Sequence, residues 1–350
     1  MSSSYVQNLT LTLFGESHGP AVGCVLDGFP PGFAPDLGRL AAFLARRAPG
    51  SAPGSTPRRE TDAPEILSGL HQGRTTGSPI TAVFRNADTH SSDYSLLAST
   101  PRPGHADYPL AVKTGRANDP RGGGHSSGRL TVGICFAGAL ALQYLETKGV
   151  SVSSRIAAVA GAPVTGPVDP AGLDAPARAA IQAARASGDS VGGIVEATVA
   201  GLPPGLGAPP FGGVENRLSA ALFAIPAVKG VEFGDGFAAA ALRGSQHNDP
   251  FQIAPDDTVT APTNHHGGIL GGLTTGLPVV FRVAFKPTPS IALPQRSVNL
   301  DTLQNASLTV PGRHDACIVP RARPVVEAVA ALVALDLLLD PPPKGLPRET

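Results

Sequence analysis

Apolar and polar residues alternate in several short stretches of the chain that are rich in β-branched side chains. Alternation with a period of two places the apolar side chains on one face, which is typical of half-buried strands. The strands that this pattern predicts are Asn8–Phe14, Ala21–Leu26, Ile80–Phe84, Gly193–Val199 and Pro278–Phe285.

Longer segments of the chain predict helices. The predicted helices are Asp36–Arg47, Leu130–Thr147, Asp174–Ser187, Val214–Phe223 and Pro324–Leu339. Asp36 and Asp174 would cap their helices, because a carboxylate accepts hydrogen bonds from the free N–H groups of a first turn. Pro324 suits a first turn through its fixed φ and missing N–H. Gly149 and Gly188 stand where helices would end.

The order of these elements favours a single domain. Strands and helices mix without a regular βαβ order, and neither a fixed-period repeat nor a clean linker divides the chain. We therefore predict one α+β catalytic domain over residues 1–340, followed by a flexible tail over residues 341–350. Long polar loops such as Ala48–Thr61 and Lys113–Gly124 are expected to build a site on which distant segments converge.

The composition indicates in which compartment the protein is located and which classes of binding partner are not expected. With 42% apolar residues, 15% charged residues and no net formal charge, the chain gives no electrostatic reason to bind nucleic acid or an anionic membrane. Its three scattered cysteines favour a reducing compartment. The N-terminus lacks the features of a signal peptide, and the most apolar segment, Val325–Leu339, is too short to span a bilayer. We predict a cytoplasmic protein in which this segment is a buried helix.

Two matches to G-x-S-x-G, at Gly15–Gly19 and Gly124–Gly128, suggest a serine hydrolase with Ser17 or Ser126 as nucleophile. That motif needs a strand before the serine and a helix after it. The first match has only the strand and the second has only the helix, so the hydrolase is a minor alternative. The sequence contains no P-loop or dinucleotide fingerprint, and no histidine or cysteine spacing predicts a metal site.

Four loops combine arginine, histidine, hydroxyl groups and glycine. They are RPGHADY (Arg102–Tyr108), DPRGGGHSSGR (Asp119–Arg129), FKPTPS (Phe285–Ser290) and GRHDACIVPRARP (Gly312–Pro324). Taken singly, each is better explained as a tight turn or a surface ion pair than as a functional loop. Together they predict a pocket for a polyanion, with histidines that can transfer protons near neutral pH.

These and further segments resemble the chorismate synthase family. The matching segments run in order over nearly the whole chain and are FGESHG (Phe14–Gly19), RRAPG (Arg46–Gly50), STPRRETDAPEILSG (Ser55–Gly69), RPGHADY, RGGGHSSGRLT (Arg121–Thr131), IPAVKGVEFGDGF (Ile225–Phe237), NHHGGILGGLTTG (Asn264–Gly276), FRVAFKPTPSI (Phe281–Ile291) and GRHDACIVPRARPVVEA (Gly312–Ala328). The resemblance implies a single-domain β-α-β sandwich, with helices layered between two antiparallel sheets, and a homotetramer.

The resemblance also implies a reaction. Members of the family convert 5-enolpyruvylshikimate 3-phosphate to chorismate and phosphate, by a 1,4-anti elimination that needs reduced FMN without net redox change. In the accepted outline the reduced flavin donates electron density transiently, phosphate leaves, and the hydrogen passes to flavin N5. Arginine suits such anionic ligands, because its planar guanidinium group pairs two oxygens at once.

Individual residues match functional positions of the family. His18 resembles the histidine that protonates the departing phosphate, and His105 resembles the one that protonates the reduced flavin. Asp315, with Ser127 as relay, resembles the group that helps to return the proton from flavin N5. The positions that match substrate-anion contacts are Ser17, Arg47, Arg102, Arg129 and Arg313. The positions that match flavin contacts are His125, Ser126, Ser127, Ala227, Gly271, Lys286, Pro287, Thr288, Pro289, Ser290 and Arg313.

The chain departs from the family pattern in two places. Many relatives carry basic residues after RRAPG, whereas this chain has SAPGST (Ser51–Thr56), with Arg58 or Arg59 as alternative sources of positive charge. His125 stands where many relatives have arginine. If His125 contacts the flavin phosphate, FMN affinity should fall as pH rises from about 5.5 to 8.

Two other functions stay open beside the hydrolase. A net flavin oxidoreductase would consume NADPH, although the sequence shows no dinucleotide fingerprint for it. A catalytically inactive relative would only bind its ligands. No separate flavin-reductase domain is visible, which favours an external flavin reductant over NADP-dependent reduction by the protein itself.

Overall fold

The computed structural model describes residues 3–50, 62–87, 96–310 and 315–345. The α-helices in these ranges are α1 (Leu37–Arg47), α2 (Asp107–Thr114), α3 (Thr131–Glu146), α4 (Ala175–Ala186), α5 (Val214–Leu222), α6 (Gly244–His247) and α7 (Val319–Leu338). The strands are β1 (Ser4–Val6), β2 (Thr10–Gly15), β3 (Ala21–Asp27), β4 (Glu65–Ser68), β5 (Leu70–His71), β6 (Arg74–Thr75), β7 (Ile80–Arg85), β8 (Ser151–Val159), β9 (Ala162–Pro163), β10 (Gly193–Ala200), β11 (Val228–Phe233), β12 (Gln252–Ile253), β13 (Val259–Thr260), β14 (Ile269–Leu270), β15 (Leu273–Thr274), β16 (Val279–Phe285), β17 (Gln295–Asn299) and β18 (Gln304–Leu308).

The first large sheet is built from the N-terminal strands. Its order is β1–β2–β3–β7–β4, and every neighbouring pair is antiparallel. Along β7, Ile80, Ala82 and Phe84 are buried while the residues between them are more exposed. This is the period of two expected of a strand with one core face. The three strands predicted in this region are confirmed as β2, β3 and β7.

The second large sheet has the order β11–β16–β10–β8–β9 and is also antiparallel. Along β16, Val279, Phe281, Val283 and Phe285 are buried at alternate positions. The two strands predicted here are confirmed as β10 and β16. Their partners β8 and β11 were not predicted, because both contain glycine, serine or charged residues that weaken the alternation.

Two helices lie against these sheets. Helix α3 packs against β2, β3 and β7 of the first sheet and against α7, while α7 packs against β8 and β10 of the second sheet. Most residues of both helices are buried, which explains why neither has a continuous polar face. The structure therefore confirms an α+β fold with antiparallel sheets.

The burial of helix α3 decides whether this long apolar helix could span a membrane. By length and composition, the segment Gly128–Glu146 could cross a membrane, but 83% of its apolar window is buried inside the fold. Because strands contact α3 on one side and α7 contacts it on another, it is a core helix. The predicted buried helix over Val325–Leu339 is also confirmed, as the greater part of α7.

The predicted caps of two helices are present. Asp36 accepts hydrogen bonds from the N–H groups of Gly38 (2.8 Å) and Arg39 (3.0 Å) at the start of α1. Asp174 accepts one from Ala177 (3.0 Å) at the start of α4. The predicted helix ends at Gly149 and Gly188 are also confirmed, since both glycines have positive φ just after α3 and α4.

The predicted start of α7 is wrong. The helix begins at Val319, with Pro320 in its first turn, and Pro324 lies inside it. The N–H of Ala322 already donates to the carbonyl oxygen of Ile318 at 2.8 Å. A residue before proline is biased away from the helical region, but burial of Val319 and Ala322 in the core stabilises the additional turn.

The three cysteines, Cys24, Cys135 and Cys317, are buried free thiols. Burial raises the pKa of Cys24 to about 12 and that of Cys317 to about 11. A thiol that does not ionise near neutral pH is a poor nucleophile, so these residues act as small apolar side chains of the core.

At the C-terminus, residues 341–345 are exposed and form neither helix nor strand. The rest of the predicted tail lies outside the described residues.

Candidate active site

A cavity of about 1400 Å³ brings the predicted polar loops together. Its walls include the edge strand β1 of the first sheet, the edge strand β11 of the second sheet and residues of α7. The predicted site residues that line it are Ser17, His18, Arg47, Arg102, His105, His125, Ser126, Ser127, Arg129, Ala227, Lys286, Thr288, Pro289, Ser290 and Asp315.

Two predicted flavin contacts do not line this cavity. Gly271 forms the exposed turn between β14 and β15, where an added side chain would meet nothing within 4 Å. Pro287 is exposed next to a lining residue. Both therefore stay predictions. The candidate site residues Ser51–Thr56, Arg58, Arg59 and Arg313 lie outside the described residues.

The glycines of the RGGG segment pack against both predicted proton-transferring histidines. Gly122 and Gly123 have φ values of 58° and 84°, in the left-handed region that glycine adopts without steric penalty. A side chain added at Gly122 would lie 2.9 Å from Ser17 Oγ and would collide with the ring of His18. One added at Gly123 would lie 3.0 Å from Cε1 of His105. Consecutive glycines thus allow the loop to approach two catalytic candidates.

His105 is oriented by a carboxylate two residues further along the chain. Its Nδ1 lies 2.7 Å from Oδ1 of Asp107, while Nε2 lies on the side of the glycine loop. Nη2 of Arg102 also lies 3.1 Å from Nδ1. Because a carboxylate only accepts and its contact is shorter, we assign the proton to Nδ1. Nε2 then has a lone pair when the ring is neutral and the second proton when the ring is protonated.

Asp107 stays ionised beside this histidine. Arg102 donates to the carboxylate from Nε at 2.7 Å and from Nη2 at 2.8 Å. Burial disfavours the charged carboxylate, but hydrogen bonds from Arg102 and His105 outweigh burial and hold the pKa of Asp107 well below its usual range. A permanently charged acceptor fixes the tautomer and orientation of the imidazole ring. Nη1 of Arg102 donates to Ser290 Oγ at 3.1 Å, which ties this group to the end of β16.

A second carboxylate, Asp62, joins two of the predicted anion-binding arginines. Oδ2 accepts from Arg47 Nε at 3.0 Å and from Arg47 Nη2 at 2.5 Å. Oδ1 accepts from Nη1 of Arg129. The side chains of the two arginines are only 3% and 4% exposed and that of Asp62 is fully buried. The cavity therefore has two guanidinium groups fixed in its wall.

Arg321 connects this arginine pair to Asp315. Its Nη1 donates to Oδ2 of Asp315 at 2.7 Å, and its Nε donates to the carbonyl oxygen of Arg47 at 3.0 Å. Burial lowers the pKa of Arg321, and attraction to Asp315 opposes that effect. Asp315 is thus placed at the cavity as the partner of a buried arginine. Ser127, its predicted relay, caps the turn before α3 by accepting from the N–H of Arg129.

Both ring nitrogens of His125 contact protein atoms. Nδ1 donates to the carbonyl oxygen of Gly15 at 2.8 Å, and Nε2 lies 2.6 Å from Oγ of Ser3. With the proton on Nδ1, Nε2 accepts from the serine hydroxyl. His125 lines the cavity, but a ligand would have to share or replace Ser3 in order to reach Nε2.

The end of β16 carries polar groups suited to an anionic or hydrogen-bonding ligand. Lys286 donates to the carbonyl oxygen of Gly104, and its pKa is lowered by burial and by the neighbouring Lys229. Among the described residues, the buried Oγ1 of Thr288 has no hydrogen-bond partner. A buried hydroxyl group is seldom left unsatisfied, so Thr288 is a candidate for a ligand contact. Ala227, with a φ of 74°, faces the same cavity.

The local structure argues against an acylated serine. Ser17 follows β2 but is followed by a turn and then by β3, whereas Ser126 lies in a 3-10 turn that is preceded by loop. Neither serine occupies the strand-to-helix turn that a nucleophile elbow requires. The N–H of Ser17 instead donates to the carbonyl oxygen of Gly124 at 3.2 Å, which joins the two G-x-S-x-G segments to each other.

A separate group of histidines lies outside this cavity. His265 Nδ1 pairs with Asp235 at 2.8 Å, and His266 Nδ1 pairs with Asp249 at 2.9 Å. The two neighbouring imidazole rings thus bind different carboxylates, as expected of adjacent residues. Within the described ranges, no group of three or more histidine, cysteine, aspartate or glutamate residues has a geometry that could hold a metal ion.

Several polar residues of the site were missed in the sequence analysis. Those that bear on the charged groups of the site include Asp62, Asp107, Lys229 and Arg321. The sequence did indicate a role for Asp107, because this carboxylate lies two residues after His105 within RPGHADY. Arg321 lies in another of the polar loops that were singled out, but nothing in its neighbourhood distinguished it from Arg323. Asp62 and Lys229 lie in segments that were noted only for their resemblance to the family.

Comparisons with known proteins identify the family of the chain. The family model described as chorismate synthase matches residues 9–339. A chorismate synthase of Thermococcus kodakarensis is 50% identical over 344 residues, which span 95% of this chain and 96% of that protein. One of Dehalococcoides mccartyi is 47% identical over 354 residues, with 97% of each chain covered.

A solved structure titled "Crystal Structure of Chorismate Synthase" is similar in fold. It superposes with a TM-score of 0.73 at 26% sequence identity, over 96% of this chain and 93% of that chain. The family match, the relatives and the solved structure each cover nearly all of the molecule. The chain therefore belongs to the chorismate synthase family, and the protein is a lyase that acts in the shikimate pathway.

Proposed function

We propose that this protein converts 5-enolpyruvylshikimate 3-phosphate to chorismate and inorganic phosphate, by a 1,4-anti elimination that requires reduced FMN and has no net redox change. The observation that carries the proposal is the cavity, where His18 and His105 flank one glycine loop beside buried arginines. Two proton-transferring groups and several fixed cations are what the loss of phosphate requires from a substrate that carries one phosphate and two carboxylate groups.

The cavity fits a flavin in addition to the substrate. Pockets for one small ligand measure about 300–1,000 Å³, and this cavity of about 1400 Å³ is larger. The unpartnered Thr288 Oγ1 and the ammonium group of Lys286 could contact the flavin. When bound, reduced FMN would supply transient electron density and take up the hydrogen that the substrate loses. The predicted contacts of Gly271, Pro287 and Arg313 with the flavin belong to the same proposal.

The arginines would bind and orient the substrate. Arg47 and Arg129 are fixed through Asp62, and Arg102 is fixed through Asp107. Guanidinium groups held in one orientation lose little freedom when they bind phosphate or carboxylate oxygens. Ser17 would add a hydroxyl hydrogen bond to the same anionic groups. The burial of these side chains would exclude water and strengthen each of these contacts.

The histidines would carry the protons. His18 would donate a proton to the departing phosphate oxygen, and its position against Gly122 supports this role. His105 would present Nε2 to the reduced flavin, because its Nδ1–H is already bound to Asp107, and it would donate from Nε2 when the ring carries both protons. Asp315, with Ser127 as relay, would accept the returning proton. The contact of Asp315 with Arg321 would hold that carboxylate at the cavity wall.

Several properties of the whole molecule form part of the proposal. We take the architecture to be a β-α-β sandwich with helices layered between two sheets, supported by the contacts of α3 and α7. We also propose a single catalytic domain over residues 1–340, a homotetramer, a cytoplasmic location, and no nucleic-acid or membrane partner. The flavin would be reduced by an external reductant and not by NADPH bound to this chain.

An anaerobic assay tests the proposed reaction. Purified protein is mixed with 5-enolpyruvylshikimate 3-phosphate and chemically reduced FMN, and phosphate and chorismate are followed together. Equal release of both products, absent with oxidised FMN, is the expected result. Consumption of NADPH in step with the product would instead indicate a net oxidoreductase. Tight binding of both ligands without any product would indicate a binding protein.

A further inference from the structure

Asp62 lies between two arginines that come from different parts of the chain. Arg47 is the last residue of α1, and Arg129 belongs to the 3-10 turn that precedes α3. Each carboxylate oxygen of Asp62 accepts from one of them, with two contacts of 3.0 and 2.5 Å on the Arg47 side. A single buried carboxylate therefore sets the distance between two guanidinium groups.

The geometry of this group is fixed from several sides. Asp62 has a φ of 49°, a conformation that is uncommon outside glycine but is tolerated by aspartate. Nη1 of Arg47 lies 3.3 Å from Thr131 Oγ1, and Nε of Arg129 donates to Asn86 Oδ1 at 3.0 Å. These contacts leave each guanidinium plane with one orientation relative to the cavity.

We infer that Asp62 is a positioning residue for substrate binding, which acts through Arg47 and Arg129 and does not touch the substrate itself. The side chain of Asp62 is fully buried and does not line the cavity, whereas both arginines do. The inference rests on the proposed function, because it takes the two arginines as contacts of the substrate's anionic groups. Asp62 also cancels one of their two charges, which lowers the electrostatic repulsion between the two guanidinium groups.

A buried ion pair that only stabilised the fold would behave differently. Its removal would lower the free energy of unfolding without changing ligand affinity. The chain offers a matched control in Glu327, which is bound by Arg46, the residue next to Arg47 in α1. Arg46 donates to it from Nη1 at 2.6 Å and from Nη2 at 2.7 Å, and Glu327 is 8% exposed. Neither residue of this control pair lines the cavity.

The experiment compares Asp62→Asn with Glu327→Gln in the full chain. Substrate affinity is measured by calorimetry with 5-enolpyruvylshikimate 3-phosphate, FMN affinity is measured by fluorescence, and stability is measured by urea unfolding. Asp62→Asn should weaken substrate binding about tenfold to a hundredfold, because small misplacements of binding groups have effects of that size. FMN affinity should change less than about twofold, since the flavin contacts proposed above do not involve Arg47 or Arg129. Glu327→Gln should lose stability but retain the parent affinity for both ligands.

Asp62→Glu provides a second variant that keeps the negative charge. It moves the carboxylate by one methylene group, so it should weaken substrate binding while losing less stability than Asp62→Asn. Folded Asp62→Asn or Asp62→Glu protein with the substrate affinity of the parent would overturn the inference. Equal losses of substrate affinity in Asp62→Asn and Glu327→Gln would overturn it as well. If the parent protein itself failed to bind or convert the substrate, the proposed function would be wrong instead.

Discussion

Asp62 and Asp107 both bind arginines at the edge of the same cavity, but they do so over different separations in the sequence. Asp107 pairs with Arg102 and His105 inside one seven-residue motif. Asp62 pairs with Arg47 and Arg129, which lie 15 and 67 residues away. The first group is assembled by a local turn, whereas the second exists only after α1 and the segment before α3 have been brought together by the fold.

The two carboxylates also differ in what they orient. Asp107 fixes the tautomer of an imidazole that we propose to transfer a proton, and among the described residues it pairs with one arginine, Arg102. Asp62 contacts no histidine in the described structure and orients two arginines. We therefore expect the Asp107 group to control the rate of the chemical step and the Asp62 group to control substrate affinity.

The largest expected effect is that of Asp107→Asn on catalysis. The amide would no longer be a charged acceptor for Nδ1–H, so His105 could adopt the other tautomer and lose its proton-transfer geometry. General acid–base groups contribute about 100-fold to 10,000-fold, and we expect kcat to fall by about 100-fold or more. Anaerobic turnover at saturating reduced FMN and substrate measures this change.

A parallel measurement of substrate affinity sharpens the comparison. Asp107→Asn should change the dissociation constant of the substrate less than Asp62→Asn does, since Arg102 keeps its contact with Ser290 Oγ. If Asp107→Asn lowered only affinity and left kcat at the parent value, the assignment of the two carboxylates to different steps would be wrong.

The difference between these groups also explains what could be predicted from the sequence. Alternation and capping residues were sufficient for β2, β3, β7, β10 and β16 and for the starts of α1 and α4, because those signals are local. The spacing of His105 and Asp107 was local too, although its meaning was missed. The contact of Asp62 with Arg129 could not be read from the residues, since nothing near Asp62 in the chain indicates a partner 67 residues away.

Other errors have the same physical origin. Helix α2 was missed because it begins without a side-chain cap. The start of α7 was predicted too late because Pro324 suits a first helical turn, whereas burial of Val319 in the core decided the outcome. At α7, tertiary packing thus overrode a local preference.

Gly123→Ala should have the next largest effect. Alanine at a φ of 84° is strained, and its Cβ would lie 3.0 Å from Cε1 of His105. We expect a loss of about 1–2 kcal/mol in the free energy of unfolding from the backbone strain. We also expect a fall of about tenfold in kcat from the displaced imidazole ring. Urea unfolding and anaerobic turnover measure the two effects.

Gly115→Ala is the matched control for this substitution. Gly115 also has a positive φ, of 60°, but an added side chain there would meet nothing within 4 Å. It should therefore show the strain without the loss of kcat. Equal losses of kcat in the two variants would mean that contact with His105 is not the reason for the glycine at position 123.

A smaller effect is expected in the pH dependence of the folding stability that the Asp107 carboxylate contributes. Its folded-state pKa is lowered, so the ionised carboxylate stabilises the folded state above the unfolded-state pKa of about 3.9. That contribution is lost as pH falls through the lower, folded-state pKa. The difference in unfolding free energy between the parent and Asp107→Asn should therefore shrink as pH falls below about 4. Urea titrations between about pH 2 and 7 measure it. A difference that stayed constant over this range would contradict the ionised state of Asp107.

The smallest expected effect is that of replacing Glu146, a carboxylate on the surface of the protein. Glu146 accepts from both Nη atoms of Arg39 at 2.9 and 2.6 Å, so the pair is bidentate, as is Arg102 with Asp107. Its side chain is 48% exposed and that of Arg39 is 55% exposed, so water screens the interaction. Glu146→Ala should change the free energy of unfolding by less than about 1 kcal/mol and should leave kcat and substrate affinity unchanged. If Glu146→Ala lost as much free energy of unfolding as Asp62→Asn, burial at the cavity would not be what distinguishes Asp62 from a carboxylate on the surface. Urea unfolding of both variants in the same buffer decides between these explanations.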